Sequence, residues 1–167
     1  TQPAYSPSST WNTTTPTSSL ISLDGGAGNG VNASGQSYVC YAFAEKTGFS
    51  KFGSYTGNGN ANGAFVYTGF KPAFVIVKRV DDTANWVMTD NKISFNGKGT
   101  NDSSVLFPSS TTAETDAYGL QLHSNGFKFS GSDSASATVN GSGAEYIYMA
   151  FASEPLVSSN GIPATAR

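Results

Sequence analysis

The chain has few side chains that could act as acid–base or nucleophilic catalysts. It contains one histidine, His123, and one cysteine, Cys40. His123 precedes a Ser-Asn-Gly turn, a pattern that predicts a polar residue at the tip of a hairpin. A single histidine without an acidic neighbour cannot form a zinc site or a catalytic triad. Cys40 lies within an apolar run, which predicts a buried, inert thiol, and a lone cysteine excludes an internal disulfide.

The carboxylates are the next candidates for chemistry, and those in predicted loops are Asp81, Asp82, Asp90, Asp102 and Asp116. Such residues could bind Ca²⁺ or a sugar hydroxyl, but aspartate is also favoured at solvated turns. The spacing of an EF-hand is absent. A glycosidase would need two carboxylates flanking a cleft, which the sequence neither favours nor excludes. We therefore expect a protein that is not an enzyme, with no catalytic residues, no metal and no cofactor.

Aromatic side chains beside predicted turns are the remaining candidates for ligand binding. Trp86 could stack on a sugar ring, although core packing is favoured because a sandwich must bury its large side chains. Tyr55, Tyr67 and Tyr118 have the same two options. We select Trp86, Asp90 and Tyr118 as the candidate ligand-binding residues.

Composition narrows the classes of partner. The formal net charge is -2 and 12% of the residues are charged, whereas an electrostatic nucleic-acid binder would show clustered Lys and Arg. No apolar run reaches the roughly 18 residues that a membrane-spanning helix needs. We expect neither a nucleic-acid partner nor membrane insertion.

Short alternating segments predict an all-β fold. A Gly/Asn-rich turn at Gly57–Gly63 predicts a hairpin between Phe49–Thr56 and Ala64–Thr68. The most hydrophobic run, Ala73–Val80, predicts a central strand to which Asn85–Thr89 pairs antiparallel. Further predicted strands are Leu20–Leu23, Ser104–Phe107, Leu120–His123 with Phe127–Ser130 as a hairpin, Ser132–Thr138 at an edge, and Tyr146–Ala152. This pattern, with almost no helix, indicates an antiparallel β-sandwich or jelly roll.

A sequence repeat organises the chain. Val31–Glu45, the first copy, returns as Val139–Glu154, the second copy, at an offset of 108 residues. Each copy has a Val-Asn-x-Ser-Gly turn followed by a Tyr-x-x-x-Ala-Phe-Ala run. We expect Val39–Ala44 and Tyr146–Ala152 to be central, largely buried strands of the same domain.

The N-terminal segment differs in composition from the rest. Residues 1–19 contain three prolines and a run of Ser and Thr, which predicts an extended arm whose anchors are Tyr5 and Trp11. Residues 20–167 are then a single sandwich domain. Because the chain starts at Thr1 instead of Met and the first copy is partial, processing or truncation of upstream sequence is an expectation.

Several motifs together carry a resemblance. They are the strand Tyr38–Ala44, the turn Gly53–Gly59, the Gly-Phe-x-Pro strand Gly69–Arg79, Trp86, Asp90, and the later runs SNGFKFSG and YIYMAFASEPL. Over about Val31–Arg167 the chain resembles a repeat of structural proteins of tailed bacteriophages, marine ones especially. One departure is the last strand, which ends Ala-Ser-Glu where the first ends Ala-Glu.

The resemblance implies a virion structural protein on the surface of the particle. The favoured interpretation is a tail-fibre or adhesin-type module that binds the host surface, with host glycan as a candidate ligand. The alternative is a capsid decoration protein that binds the shell, and a carbohydrate-active enzyme is a third, less favoured option. Partners are further copies of the chain or other virion proteins, so we expect an oligomer or docking on a lattice.

Overall fold

The computed structural model describes residues 14–23, 30–93, 103–130 and 136–153. Its contacts divide the chain into two compact units, Gln2–Phe43 and Ala44–Arg167, with Thr1 grouped in the second. The predicted arm anchors, Tyr5 and Trp11, lie outside the described residues.

Among its described residues, the regular structure of the larger unit is β-strand apart from one short helix. Its elements are β1 (Ser50–Thr56), β2 (Asn62–Tyr67), β3 (Pro72–Arg79), β4 (Val87–Asp90), β5 (Ser103–Val105), β6 (Thr115–His123), β7 (Gly126–Ser130), α1 (Ser136–Asn140) and β8 (Glu145–Ala152). Every strand pair is antiparallel. The predicted all-β sandwich is confirmed.

The strands form two four-stranded sheets. The first sheet has the order β1-β8-β3-β4, and the second has the order β2-β7-β6-β5. An isolated bridge between Met88 and Leu106 joins β4 of the first sheet to the chain directly after β5 of the second. The two sheets are therefore linked through backbone hydrogen bonds along one side of the sandwich.

The core lies between the inner faces of the two sheets. In β3 the valines at 75 and 77 point inward and are 1% exposed, while the residues between and beside them are half-buried. The second sheet contributes Phe127 and Phe129, and their alternation follows from the two-residue period of a strand. Phe127 packs edge-on against Tyr55 and Tyr148 of the first sheet.

Three strand predictions are confirmed. The run Ala73–Val80 forms β3, which lies between β8 and β4, and β4 pairs back on it antiparallel. The turn after His123 closes the β6–β7 hairpin, in which His123 pairs with Gly126. The closing strand β8 lies between β1 and β3.

The predicted hairpin between Phe49–Thr56 and Ala64–Thr68 is wrong. β1 and β2 are neighbours in sequence, but β1 pairs with β8 and β2 pairs with β7. The Gly/Asn-rich loop between them crosses from one sheet to the other. After the loop, Gly63 of β2 permits a close approach to β7, because a Cβ there would lie 1.7 Å from the carbonyl oxygen of Phe129.

The strand predicted for Ser132–Thr138 is also corrected. The small helix α1 occupies Ser136–Asn140, and residues 131–135 are outside the described part. The carbonyl oxygen of Ala137 accepts a hydrogen bond from the Tyr146 hydroxyl at 2.8 Å, which ties this turn of helix to β8.

The smaller unit contains no strand among its described residues. Leu20–Leu23, a predicted strand, follows a turn in which the Thr17 hydroxyl accepts the backbone N–H groups of Ser19 and Leu20. The first-copy strand predicted at Val39–Ala44 is likewise wrong: these residues are exposed and do not form a strand. Cys40, expected to be buried, is exposed.

Candidate binding surfaces

Two of the predicted ligand-binding residues flank the same short strand. Trp86 directly precedes β4, is half-buried, and donates its backbone N–H to the Ser109 hydroxyl at 3.1 Å. Asp90 ends β4, where its carboxylate accepts the backbone N–H groups of Lys92 at 2.6 Å and Ile93 at 2.8 Å. Four residue steps along an extended chain, at roughly 3.3 Å each, separate the two by about 13 Å. The structure therefore places Trp86 and Asp90 at opposite ends of β4. The Asp90 carboxylate stabilises the turn that follows the strand.

Tyr118, the third predicted residue, belongs to β6. It is half-buried, and its ring packs edge-on against the buried Phe107 at a centroid distance of 5.8 Å. From the sequence, an aromatic residue near a turn could either pack in the core or bind a ligand, and Tyr118 packs against the core. A ligand-binding role for Trp86, Asp90 and Tyr118 stays a prediction.

A more accessible aromatic surface lies on the outer face of the second sheet. Phe65 and Tyr67 of β2 are 48% and 64% exposed, while Val66 between them is buried. Phe65 pairs with Lys128, which in turn pairs with Gln121, so these three side chains share the outer face. The ring of His123 lies edge-on to Phe65 at 5.7 Å. We call this set, Phe65, Tyr67, Gln121, His123 and Lys128, the outer aromatic face.

Gly126 has no side chain, and this lets the Phe65 ring of the outer aromatic face pack directly on its backbone. A Cβ at Gly126 would lie 2.7 Å from the tip of the Phe65 ring, so the ring covers the bare backbone there. The Lys128 ammonium donates to the side-chain oxygen of Asn62 at 2.7 Å. Within the described residues, Nε2 of His123 is buried without a hydrogen-bond partner. The surface thus combines flat apolar rings with polar groups at their margin.

From the sequence, Tyr67 is one of several aromatic residues that could either pack in the core or bind a ligand, and Phe65 is not among them. The signal was present in the alternation Phe65-Val66-Tyr67, which puts the first and third side chains on one face of a strand. Which face of β2 is exposed depends on its pairing with β7. The predicted pairing with β1 is incorrect, so it did not indicate that Phe65 and Tyr67 are exposed.

In the second copy of the repeat, a buried asparagine directly precedes the turn. Asn140 is 1% exposed and its side chain makes three hydrogen bonds, to the backbone N–H of Asn58, the side chain of Asn58 and the carbonyl of Asn60. The Tyr146 hydroxyl accepts the backbone N–H of Gly141 at 2.8 Å. Tyr146 stacks on Tyr55 at 4.9 Å, and burial raises the pKa of Tyr55 well above its ordinary value.

The first copy repeats this turn without the surrounding sandwich. The Tyr38 hydroxyl accepts the backbone N–H of Ala33 at 3.0 Å, as Tyr146 does from Gly141. The backbone N–H of Gln36 donates to the carbonyl of Ala33 at 3.2 Å, as Ala144 does to Gly141 at 3.1 Å. Gly35 has a φ of +74° and its counterpart Gly143 a φ of +72°. The run after the turn is exposed, with Val39 and Tyr41 each 80% accessible.

Among the described residues, no group of three or more His, Cys, Asp or Glu side chains is arranged to hold a metal ion. No helix in the described part of the chain is long and apolar enough to cross a membrane.

Comparison with known proteins places the chain in a family. A search of the curated proteins and of the solved structures finds no match. The model of one family, described as a domain of unknown function, DUF7483, matches residues 1–155 and so includes both copies of the repeat. The chain therefore belongs to the DUF7483 family.

Proposed function

We propose that the chain is a structural module of a tailed-phage virion, displayed on the particle surface, which attaches to host-surface glycan through the outer aromatic face. The observation that carries the proposal is the exposure of Phe65 and Tyr67 side by side on one face of β2. The resemblance of the sequence motifs to phage structural repeats supports the part of the proposal that places the chain on a virion.

The chemistry of the outer aromatic face suits a sugar. The C–H face of a pyranose ring can stack on an exposed aromatic ring, and its hydroxyls need donors and acceptors close by. Lys128 and Gln121 provide these on the strands beside Phe65. Each contact is shallow and weak, so attachment depends on many copies acting together on one particle.

The test is glycan binding by the full chain with Tyr67→Ser, with Phe65→Ser, and with Ile147→Ser as the matched control. Ile147 is 41% exposed on the first sheet, so its loss removes an apolar side chain elsewhere. On a bacterial polysaccharide array, each change in the outer aromatic face should weaken binding roughly threefold to tenfold, since an aromatic contact contributes about 0.5–1.5 kcal/mol. The control should bind like the unchanged chain.

Two results would contradict this function. One is equal glycan binding by all three variants and the unchanged chain, which would show that the outer aromatic face does not bind the glycan. The other is tight binding to purified capsid shells with no glycan bound, which is the behaviour of a decoration protein.

A further inference from the structure

Lys128, on the outer aromatic face, is a half-buried cation with no carboxylate within ion-pair distance in the described part of the chain. Other half-buried cations of the sandwich are neutralised. Lys51 forms an ion pair with Glu45 at 2.6 Å, and Arg79 forms one with Asp81 at 2.7 Å. The ammonium of Lys128 therefore differs from these two in having its charge available to a ligand.

The Lys128 ammonium is also held in place. It donates one hydrogen bond to the side-chain oxygen of Asn62 at 2.7 Å. An ammonium group has three donors, so two remain for a group that approaches from solvent. A fixed cation with two available donors can bind one carboxylate through charge-assisted hydrogen bonds.

The strands around Lys128 place no like charge against an anion. Neither β2 nor β7 contains an Asp or Glu, and the residue of β6 that pairs with Lys128 is the uncharged Gln121. Among the residues of β2, β6 and β7, Lys128 is the only Lys or Arg. The chain as a whole has a net charge of -2 and does not attract anions in general, so any preference for an anion must come from a local site.

Lys128 lies next to the ring on which a sugar would stack. It pairs directly with Phe65, and side chains opposite each other on paired strands have Cβ atoms about 5 Å apart. The long, flexible stem of a lysine lets its ammonium reach a substituent of a sugar that lies on the neighbouring ring.

We propose that the glycan bound by the outer aromatic face is acidic. It contains a hexuronic acid whose ring stacks on Phe65 and Tyr67 and whose carboxylate accepts hydrogen bonds from the Lys128 ammonium. One ammonium matches the single charge of a carboxylate, whereas a phosphate group carries a charge of about −1.5 to −2. The inference rests on the proposed function, because it names the class of sugar for the same face.

Three matched trisaccharides test the inference by titration against the full chain at low salt. They are trigalacturonate, its carboxyl-reduced form, in which each acid is a primary alcohol, and the reduced form phosphorylated at those alcohols. The unchanged chain should bind trigalacturonate about threefold to fivefold more tightly than the reduced form, since a partly exposed charge pair contributes modestly. Added salt should remove most of this preference.

Lys128→Met removes the charge, keeps an unbranched stem, and should bring the two affinities together. Lys92→Met is the matched control, because Lys92 is exposed in the turn after β4 of the other sheet and its loss changes the net charge equally. It should keep the preference for the acid.

The possible results separate this inference from the proposed function. Equal affinity for the acid and its reduced form, with both weakened by Tyr67→Ser, would overturn the acidic glycan and leave attachment through the aromatic rings standing. A preference for the acid that survives Lys128→Met would also overturn the inference, and so would tighter binding of the phosphorylated form. Binding of none of the three would overturn it too, while the polysaccharide array would still decide whether the face binds glycan.

Discussion

Tyr55 and Tyr146 stack in the interior of the sandwich, where an ionised phenol would be poorly solvated. The Tyr55 hydroxyl donates to the carbonyl of Val139 at 2.6 Å. Burial, and after it the charge of Tyr146, raises the pKa of Tyr55 well above 10.0. Burial likewise raises the pKa of Tyr146 and of Tyr148. Because their pKa values are raised in the folded state, these three phenols make the free energy of unfolding depend on pH in the alkaline range.

The sign of the linkage leads to a testable pH dependence. Below the unfolded pKa of 10.0 both states hold the proton, and above it the unfolded state loses the proton while the folded state keeps it. The free energy of unfolding should fall as pH rises above 10, with Tyr55 contributing up to about 1.4 kcal/mol per pH unit. Tyr55→Phe should make this fall shallower, and at pH 7 should cost about 1 kcal/mol for the lost hydrogen bond. Urea unfolding from pH 7 to 11 measures both effects.

The control for that experiment is Tyr67→Phe, because the Tyr67 ring is exposed on the second sheet. It should reproduce the pH dependence of the unchanged chain. An equally steep alkaline loss in Tyr55→Phe would show that the Tyr55 phenol is not the group responsible.

At the scale of elements, the turn of the second copy holds the loop that crosses between the sheets. The backbone N–H of Gly59 donates to the carbonyl of Asn140 at 2.8 Å, and that of Gly143 donates to the carbonyl of Gly57 at 2.9 Å. A Cβ at Gly57 would lie 2.3 Å from the carbonyl oxygen of Gly141, so the two segments approach as closely as bare backbone allows.

Asn140→Ala should destabilise the sandwich by about 3 kcal/mol, roughly 1 kcal/mol for each of its three side-chain hydrogen bonds. Asn32→Ala is the matched control, because the same residue in the first copy is exposed and outside the sandwich unit. Chemical denaturation of both variants gives the comparison. Equal losses would mean that the first copy contributes to the folding of the sandwich as the second copy does.

The sequence predicted best those elements whose pairing is decided locally or by hydrophobicity. β3 is the most apolar run of the chain, and the β6–β7 hairpin has a two-residue turn at Ser124 and Asn125. The β1–β2 connection failed because a Gly/Asn-rich loop serves a hairpin and a crossing between sheets equally well. The first-copy run has the alternation of a central strand, but alternation alone does not decide which segment pairs, and the position between β1 and β3 is held by β8. The candidate site was predicted less well than the fold, since the exposure of Phe65 depends on that same long-range pairing.

For the molecule as a whole, the boundary between the two units lies at the end of the first copy. The larger unit begins at Ala44, and the described residues directly before it, including Tyr38, Tyr41 and Phe43, are exposed. Chymotrypsin cleaves after aromatic residues in accessible backbone, so it should cut first in this run. The expected fragment begins near Ala44 and keeps the thermal unfolding midpoint of the full chain. Protection of Tyr38–Phe43 together with early cleavage near residue 20 would instead support a single domain from residue 20 onward.

The two ends of the sandwich emerge side by side. Ser50 at the start of β1 pairs with Phe151 at the end of β8, and the backbone N–H of Ala152 donates to the carbonyl of Phe49 at 2.8 Å. The start of β1 and the end of β8 therefore lie at one point of the sandwich. A pulling force applied through these two ends would open the β1–β8 ladder one hydrogen bond at a time from that point, instead of loading all its bonds together.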